Sequence, residues 1–205
     1  MDFWTMSKRW LAERRRDHYY KKAKSMDYRS RAAFKLKQID EKFRILKRGS
    51  TVVDLGAAPG GWLQVAKEAV GPGGTVIGLD LQPIEPIEGA ITLQGDIRLD
   101  ETVQELIALM RGKADVILSD MSPNISGNYP MDHARSVELC ENALAFAVKV
   151  LKRGGGLVMK MFEGDMMQDL LSDVKRHFAE VKLHGPKASR SSSSEIYIIA
   201  RDFRG

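Results

Sequence analysis

From residue 50 onward, short apolar runs alternate with segments whose apolar residues recur at helical spacing. The runs predict strands at 51–56, 74–81, 90–96, 114–120, 156–162 and 195–203. The other segments predict helices at 63–71, 101–112, 133–151 and 164–178. This alternation is typical of an α/β fold with a doubly wound, mostly parallel sheet flanked by helices. We expect one domain over residues 1–205, with 1–48 as a basic N-terminal helical extension and 49–205 as the sheet.

The segment 28–43 precedes this sheet and predicts an amphipathic helix with Ser30 as its N-cap. One face of the helix holds Ala32, Leu36, Ile39 and Phe43. A second face holds Arg31, Lys35, Gln38 and Lys42. We therefore expect the helix to dock through its apolar face and to present cations on the other.

Positive charge is concentrated at the start of the chain. Residues 1–48 hold 16 Lys and Arg against 6 Asp and Glu, a net +10, whereas residues 49–205 hold 16 against 21, a net −5. The same first segment contains 8 of the 15 aromatic residues. Cations interleaved with aromatic rings favour binding to RNA phosphates and bases. The alternative is a solvated helix whose rings only pack on the body of the protein.

Several classes of protein are disfavoured by composition. A single cysteine, Cys140, excludes an intramolecular disulfide and cysteine-based metal sites, and the four histidines lack metal-ligand spacing. The N-terminus has no apolar signal-peptide core, and no stretch approaches the ~20 apolar residues of a membrane span. We expect a soluble cytoplasmic protein that uses no metal and contacts no membrane.

Carboxylates follow the predicted strands at one edge of the sheet. The first strand runs into the glycine-rich stretch DLGAAPGGW at 54–62, and the next three end at Asp80, Asp96 and Asp120. Ligands of open α/β sheets bind beyond these strand ends. A single such aspartate is often only a turn former. Repetition over consecutive strands, beside a glycine-rich turn, indicates a binding site.

The glycine spacing narrows the class of ligand. A dinucleotide fingerprint reads GxGxxG, whereas Gly56, Gly60 and Gly61 follow a different spacing with a proline between them. Asp80 suits hydrogen bonds from ribose hydroxyls, Asp96 suits an adenine amino group, and Trp62 is expected to form an aromatic wall. An acidic edge without phosphate-binding features favours a cationic nucleoside, S-adenosylmethionine.

Lys160 lies inside the apolar run GLVMKMF at 156–162. An ammonium isolated in an apolar interior costs several kcal/mol, so this lysine needs a partner or a wet position. It lies near the carboxyl end of its strand, where the ligand is expected. The alternative is an edge-strand lysine whose amine reaches solvent.

Five separated motifs resemble those of the FtsJ/RrmJ family of ribose 2′-O-methyltransferases: SRAAFKL, DLGAAPGGW, SDMSPNISG, VMKMFEG and SRSSSSEIYIIA. The resemblance implies a Rossmann-like class I methyltransferase fold and S-adenosylmethionine as methyl donor. It implies a catalytic tetrad of Lys35, Asp120, Lys160 and Glu195. It implies cofactor contacts from Gly60, Trp62, Asp80, Asp96 and Asp120. The ribosomal RNA branch of the family further implies a uridine of the large ribosomal subunit as target and a monomeric enzyme.

Two questions stay open at this stage. Lys160 could act as a neutral base or as a hydrogen-bonding orienter of the ribose hydroxyl. We expect Lys160 and Asp120 to be indispensable and Lys35 and Glu195 to position the ribose.

The alternative substrates are transfer RNA and, less well suited to so short a chain, a messenger cap. A non-catalytic ribosome assembly factor and a dinucleotide-dependent oxidoreductase are alternatives from other classes.

Overall fold

The computed structural model describes residues 17–190 and 193–205 of the 205-residue chain. Its helices are α1 His18–Ser25, α2 Ala33–Phe43, α3 Gly61–Val70, α4 Asp100–Met110, α5 Tyr129–Val150 and α6 Met167–His177. Its strands are β1 Thr51–Leu55, β2 Thr75–Asp80, β3 Ile91–Gln94, β4 Ala114–Ser119, β5 Leu151–Phe162, β6 Phe178–His184 and β7 Glu195–Phe203. In these described parts, no helix is long and apolar enough to cross a bilayer.

The seven strands form one sheet in the order β3-β2-β1-β4-β5-β7-β6. The pairs from β3 to β5 are parallel, and β7 runs antiparallel to both β5 and β6. The strand order reverses between β1 and β4, which opens a crevice beyond their carboxyl ends. The predicted doubly wound, mostly parallel sheet is confirmed.

Two apolar layers cover the sheet, one on each face. Buried side chains of α4, α5 and α6 pack against one face, and those of α1, α2 and α3 pack against the other. In β1, Val53 and Leu55 contact the first layer whereas Val52 contacts the second, because neighbouring strand residues point to opposite faces. The helix α2 packs on the same face of the sheet as Val52.

The edge strand β6 has no counterpart in the sequence prediction. The predicted helix 164–178 ends at His177, and Phe178 begins a strand that pairs antiparallel with β7. Its sequence, FAEVKLH, contains only three large apolar residues, so the apolar pattern that would predict a strand is weak. Pairing with β7, which is far along the chain, decides this conformation.

The predicted N-cap is wrong. The helix α2 begins at Ala33, and its N-cap position is Ala32, whose side chain makes no capping hydrogen bond. Ser30 instead precedes a tight turn in which the Ala33 N–H donates to the Ser30 carbonyl. The Ser30 hydroxyl packs against Gly61, so closely that a Cβ there would lie 2.3 Å from it.

The expectation of a free cationic face on this helix is also wrong in part. Its apolar face is buried as predicted, but Lys35 is only 9% exposed. Arg31 contacts Asp17 and the Ala188 carbonyl, and Gln38 accepts a hydrogen bond from the Ala188 N–H. The segment before β7 therefore covers most of this face.

Candidate active site

The glycine turn after β1 forms the floor of the site. Gly56 has φ +76°, and a Cβ on it would lie 2.9 Å from the backbone of Met121. Gly60 has φ +110° and is the N-cap of α3. Both positions favour glycine, because L side chains rarely adopt these angles. The turn therefore packs directly against the start of the loop that follows β4.

A cavity of about 580 Å³ opens beyond the carboxyl ends of β1, β2, β3 and β4. Asp80, Asp96 and Asp120 all line it, as the sequence predicts. Met121 and Ile97 add apolar surface. Its size and its mixture of carboxylates with apolar walls suit a nucleoside.

Two of these carboxylates are held by N–H groups of the loops that surround the cavity. Asp80 accepts hydrogen bonds from the Ala58 N–H at 2.9 Å and the Gln82 N–H at 2.8 Å. Asp96 accepts from the Arg98 guanidinium, whose hydrogen bonds are the main cause that lowers the pKa of the Asp96 carboxyl. Each Asp80 oxygen accepts one of these bonds and keeps a second lone pair for a ligand hydroxyl. Both Asp96 oxygens are shared between two N–H groups of Arg98, so a ligand amino group has to displace one of these bonds.

Trp62 does not form the aromatic wall that the sequence suggests. Its side chain is 3% exposed, it is absent from the cavity lining, and its indole N–H donates to the Ala32 carbonyl at 2.8 Å. The ring packs 5.8 Å from that of Tyr197. Gly60 is likewise buried and is not among the residues that line the cavity. The cofactor contacts expected from these two residues stay a prediction.

Lys160 and Asp120 form the central pair of the site. Lys160 Nζ donates to the Asp120 carbonyl at 2.8 Å and lies 3.1 Å from the Asp120 carboxylate. The lysine side chain is 8% exposed, so its stem is enclosed and its ammonium lies at the edge of the interior. Because Asp120 also lines the cavity, this pair connects the nucleoside-sized space to the strand β5.

The other two predicted tetrad members form a second ion pair. Lys35 Nζ of α2 lies 2.5 Å from Glu195 Oε1, at the start of β7. Both side chains are about nine-tenths buried. The structure thus brings residues from α2, β5, β7 and the loop after β4 to one edge of the sheet.

Tyr197 links the two pairs and was missed by sequence reasoning. Its hydroxyl donates to Asp120 Oδ1 at 2.8 Å, and Lys35 Nζ lies 5.7 Å from the centre of its ring. Burial, followed by the nearby Asp120 and Glu195, raises the pKa of the Tyr197 phenol well above its usual range, so it stays a donor. The sequence does contain one indication of this role, because Tyr197 lies two residues after Glu195 and alternate residues of a strand point to the same face of the sheet.

Asp54 at the end of β1 was also missed. Its side chain is fully buried, and neither carboxylate oxygen has a hydrogen-bond partner among the described residues. Burial, with Asp120 and Asp80 close by, raises the pKa of Asp54 well above its usual range. The carboxyl therefore favours its neutral form beneath the boundary between the cavity and the tetrad.

Among residues 17–190 and 193–205, no group of three His, Cys, Asp or Glu side chains is arranged to hold a metal ion. The fold and the site together define a Rossmann-like class I methyltransferase, because antiparallel β7 lies between β5 and β6 while the cavity opens at the β1–β4 crevice. The chain belongs to the FtsJ-like methyltransferase family, whose model matches residues 28–203. The family expected from the five motifs is confirmed.

Individual relatives agree with this assignment. The chain is 53% identical over 191 residues to ribosomal RNA large subunit methyltransferase E of Methanothrix thermoacetophila, covering 93% of this chain and 74% of the relative. Identity to the protein of the same name from Methanocaldococcus jannaschii is 50% over 203 residues, covering 97% and 83%. A Plasmodium falciparum crystal structure, named provisionally as a ribosomal RNA methyltransferase, superposes with TM-score 0.78 at 32% identity, covering 87% of this chain and 100% of that one.

Proposed function

We propose that the protein methylates a ribose 2′-hydroxyl of large-subunit ribosomal RNA, with S-adenosylmethionine as donor and a uridine of the assembled subunit as target. The observation that supports the reaction most directly is Lys160 paired with Asp120 at the edge of the nucleoside-sized cavity. The names of the relatives support the substrate. The sequence-based choice of uridine rests on the family resemblance.

The residues present fit the donor. Asp80 would accept hydrogen bonds from its ribose hydroxyls, and Asp120 would face its cationic end. Asp96 would accept from its adenine amino group in exchange for one of the Arg98 hydrogen bonds. The backbone of the turn at Gly60 and Trp62 would complete the wall. S-adenosylmethionine supplies a methyl group already activated by the sulfonium charge. The protein's task is therefore alignment and proton handling rather than activation.

Lys160 would act as the orienter of the ribose hydroxyl. An ammonium has three donors, and the Asp120 carbonyl and carboxylate take two of them. The third is left to hold the 2′-oxygen toward the cavity. The Asp120 carboxylate would accept the hydroxyl proton as the new carbon–oxygen bond forms, when that proton becomes strongly acidic. This favours the orienting role over the neutral-base role for Lys160.

Lys35 and Glu195 would position the ribose from the opposite side. Their ion pair at 2.5 Å places a cation and a carboxylate at the same edge as Lys160. Tyr197 would keep Asp120 turned toward Lys160 through its 2.8 Å hydrogen bond. Lys160 would hold the reacting 2′-oxygen itself, whereas these three position the ribose or Asp120, so their removal should reduce turnover less than removal of Lys160.

The basic N-terminal segment would bind RNA phosphates. Residues 1–16 lie outside the described residues, whereas α1 is joined to the body through buried Ala23 and the Asp17–Arg31 contact. Deletion through residue 27 would therefore also remove packed structure. Deletion of 1–16 alone should flatten the salt dependence of RNA affinity, and an unchanged slope would place the contacts elsewhere.

A monomer, a single domain over 1–205 and a metal-independent reaction stay predictions.

The deciding experiment supplies labelled S-adenosylmethionine with undermethylated large ribosomal subunits and, separately, transfer RNA. Products are digested to nucleosides and identified by mass spectrometry, with Lys160→Ala as control. We expect 2′-O-methyluridine from the subunits and its loss in the variant. Label only in transfer RNA would keep the reaction and replace the substrate. Tight RNA and cofactor binding without any label would instead support an assembly factor.

A further inference from the structure

The strand that holds Lys160 is longer than its neighbour β4. The last β4–β5 pair is Ser119 with Met159, whereas β5 continues to Phe162 and remains paired with β7 up to Glu195. One side of the segment 160–162 therefore extends past the end of β4. Its backbone N–H and C=O groups on that side lie in the interior and need partners from elsewhere.

Three side chains of α5 supply these partners. The Cys140 thiol donates to the Lys160 carbonyl, with sulfur and oxygen 3.0 Å apart. Ser136 Oγ accepts from the Phe162 N–H at 3.1 Å, and His133 Nδ1 lies 2.9 Å from the Phe162 carbonyl. The spacing of three and four residues places all three side chains on one face of α5. We call His133, Ser136 and Cys140 the β5 clamp.

The clamp is saturated with hydrogen bonds. The Ser136 hydroxyl donates to the His133 carbonyl at 2.8 Å while accepting from Phe162. His133 Nε2 accepts from the Met166 N–H at 3.2 Å, which assigns the proton to Nδ1, facing the Phe162 carbonyl. Burial raises the pKa of the Cys140 thiol to about 12, so it remains a donor. The three side chains are only 1–3% exposed, where an unmade hydrogen bond is costly.

The proton assignments follow from the atoms they face. A backbone carbonyl can only accept, so both Cys140 and His133 must donate to β5. A backbone N–H can only donate, so Ser136 must accept. Apolar side chains at these three positions of α5 would leave the Lys160 carbonyl and the Phe162 N–H and carbonyl without these partners. The clamp thus does something that apolar packing of α5 cannot.

We propose that His133, Ser136 and Cys140 are positioning residues that replace the missing β4 partner and hold the Lys160 backbone at the depth where Lys160 Nζ meets Asp120. The kinetic consequence of this inference rests on the proposed function. The enclosed lysine stem leaves little room to compensate for a displaced backbone. Small displacements of a group that aligns reactants are expensive, since about 1 Å can cost on the order of 100-fold in rate.

The test compares Ser136→Ala with Val137→Ala. Ser136→Ala removes the acceptor of the Phe162 N–H, whereas Val137, the next residue of α5, packs into the apolar core. Methyl transfer, S-adenosylmethionine affinity and Phe162 amide hydrogen exchange are measured well below each melting temperature. For Ser136→Ala we expect kcat to fall about tenfold with cofactor affinity within about twofold, and the Phe162 amide to exchange at least about tenfold faster. Val137→Ala should lose stability while kcat and Phe162 protection stay close to those of the wild type.

A second pair of variants keeps the test decisive if Ser136→Ala does not fold. Cys140→Ser retains a donor toward the Lys160 carbonyl, whereas Cys140→Ala removes it. The serine variant should recover most of the kcat that the alanine variant loses. Equal kcat in the two Cys140 variants would overturn the positioning role.

Two further outcomes would also overturn it. One is an equal loss of kcat in Ser136→Ala and Val137→Ala, since the effect would then follow stability alone. The other is unchanged Phe162 exchange in Ser136→Ala, whatever the activity. If the wild-type protein binds cofactor but methylates no RNA, the proposed function fails, and the exchange measurement still decides whether the clamp holds β5.

Discussion

The cofactor edge and the tetrad are adjacent, but they are built in opposite ways. At the cofactor edge, Asp80 accepts from the Gln82 N–H and Asp96 from Arg98, each two residues along the chain. The longest of these contacts joins Asp80 to the Ala58 N–H of the glycine turn, 22 positions away. In the tetrad, Lys35 meets Glu195 from the opposite end of the chain, and Tyr197 meets Asp120 across 77 positions. The cofactor edge is therefore shaped mostly by short-range turns, whereas the tetrad is assembled by packing of the whole sheet.

This difference separates binding from turnover. Locally held carboxylates keep their geometry when a distant side chain changes, so cofactor affinity should be insensitive to most tetrad variants. The tetrad depends on contacts between several elements, so it should respond to changes in any of them. Asp120 is the exception, since it lines the cavity and also pairs with Lys160.

The sharpest separation is expected from Lys160→Met, which keeps much of the apolar stem and removes the ammonium. We expect kcat to fall by about 100-fold or more, in the range for loss of a group that handles or orients the reacting proton. Cofactor affinity by calorimetry should stay within about threefold of wild type, because Asp80 and Asp96 are held by groups other than Lys160 and Asp120 keeps its hydrogen bond from Tyr197.

Lys152→Met is the matched control. Lys152 lies on the same strand and pairs with Asp115 at 2.9 Å, but at the opposite end of β5 and half exposed. Its loss should change kcat little, since exposed ion pairs contribute about 0–1 kcal/mol. Equal losses in the two variants would show that the strand, rather than the Lys160 ammonium, is what matters.

Asp80→Asn should have the opposite effect to Lys160→Met, weakening cofactor binding while leaving kcat nearly unchanged. Replacing the carboxylate by an amide weakens acceptance from the loop N–H groups and from ligand hydroxyls. We expect the dissociation constant for S-adenosylmethionine to rise about 10- to 100-fold, from the ~1.5–3 kcal/mol of a hydrogen bond to a charged group. At saturating cofactor, kcat should be close to wild type. A loss of kcat that saturation does not restore would contradict the division into two regions.

Tyr197→Phe should have a smaller effect on turnover. The ring stays between Trp62 and Lys35, and only the hydroxyl that donates to Asp120 is removed. We expect kcat to fall about 3- to 10-fold, matching a net ~1 kcal/mol hydrogen bond, with unchanged cofactor affinity. Wild-type kcat across the pH range would remove Tyr197 from the set of orienting residues.

The smallest effect on activity is expected from Asp54→Asn, whose readout is stability against pH. Because the folded pKa of Asp54 is raised, the native state keeps a proton that the unfolded chain loses above about pH 4. Unfolding then releases a proton, so wild-type stability falls as pH rises toward that folded pKa. Asparagine does not titrate, so its melting temperature relative to wild type should increase from pH 5 to pH 8. A difference independent of pH would show that Asp54 is ionised in the folded protein.

Much of the cofactor edge was predictable from the sequence, because its signals are local. Glycines at the turn, aspartates at the strand ends and the alternation of strands with helices are all visible within short windows. The same reasoning singled out Asp120 and Lys160 by their strand-end positions, but it placed Lys35 and Glu195 in the site only through the family resemblance. It failed for Ser30, since a capping preference does not reveal that the chain enters α2 through a tight turn.

Trp62 shows a different limit. Its position after the glycine turn suggested a wall for the cofactor, but α2 provides a carbonyl for its indole and β7 provides a ring for it to pack on. Neither partner is near Trp62 in the sequence. Likewise β6 becomes a strand only because β7 is available beside it.

The amino-acid pattern was sufficient to predict the α/β architecture, the edge of the sheet that carries the cavity and the residue types found there. These follow from periodicity and from residue chemistry, which act over a few positions. The folded chain adds which cation meets which carboxylate, that Tyr197 joins the two pairs, that Asp54 is buried with no hydrogen-bond partner within 17–190 and 193–205, and that α5 completes the hydrogen bonding of β5. Such pairings depend on which strands become neighbours, and strand order is set by the packing of the whole chain.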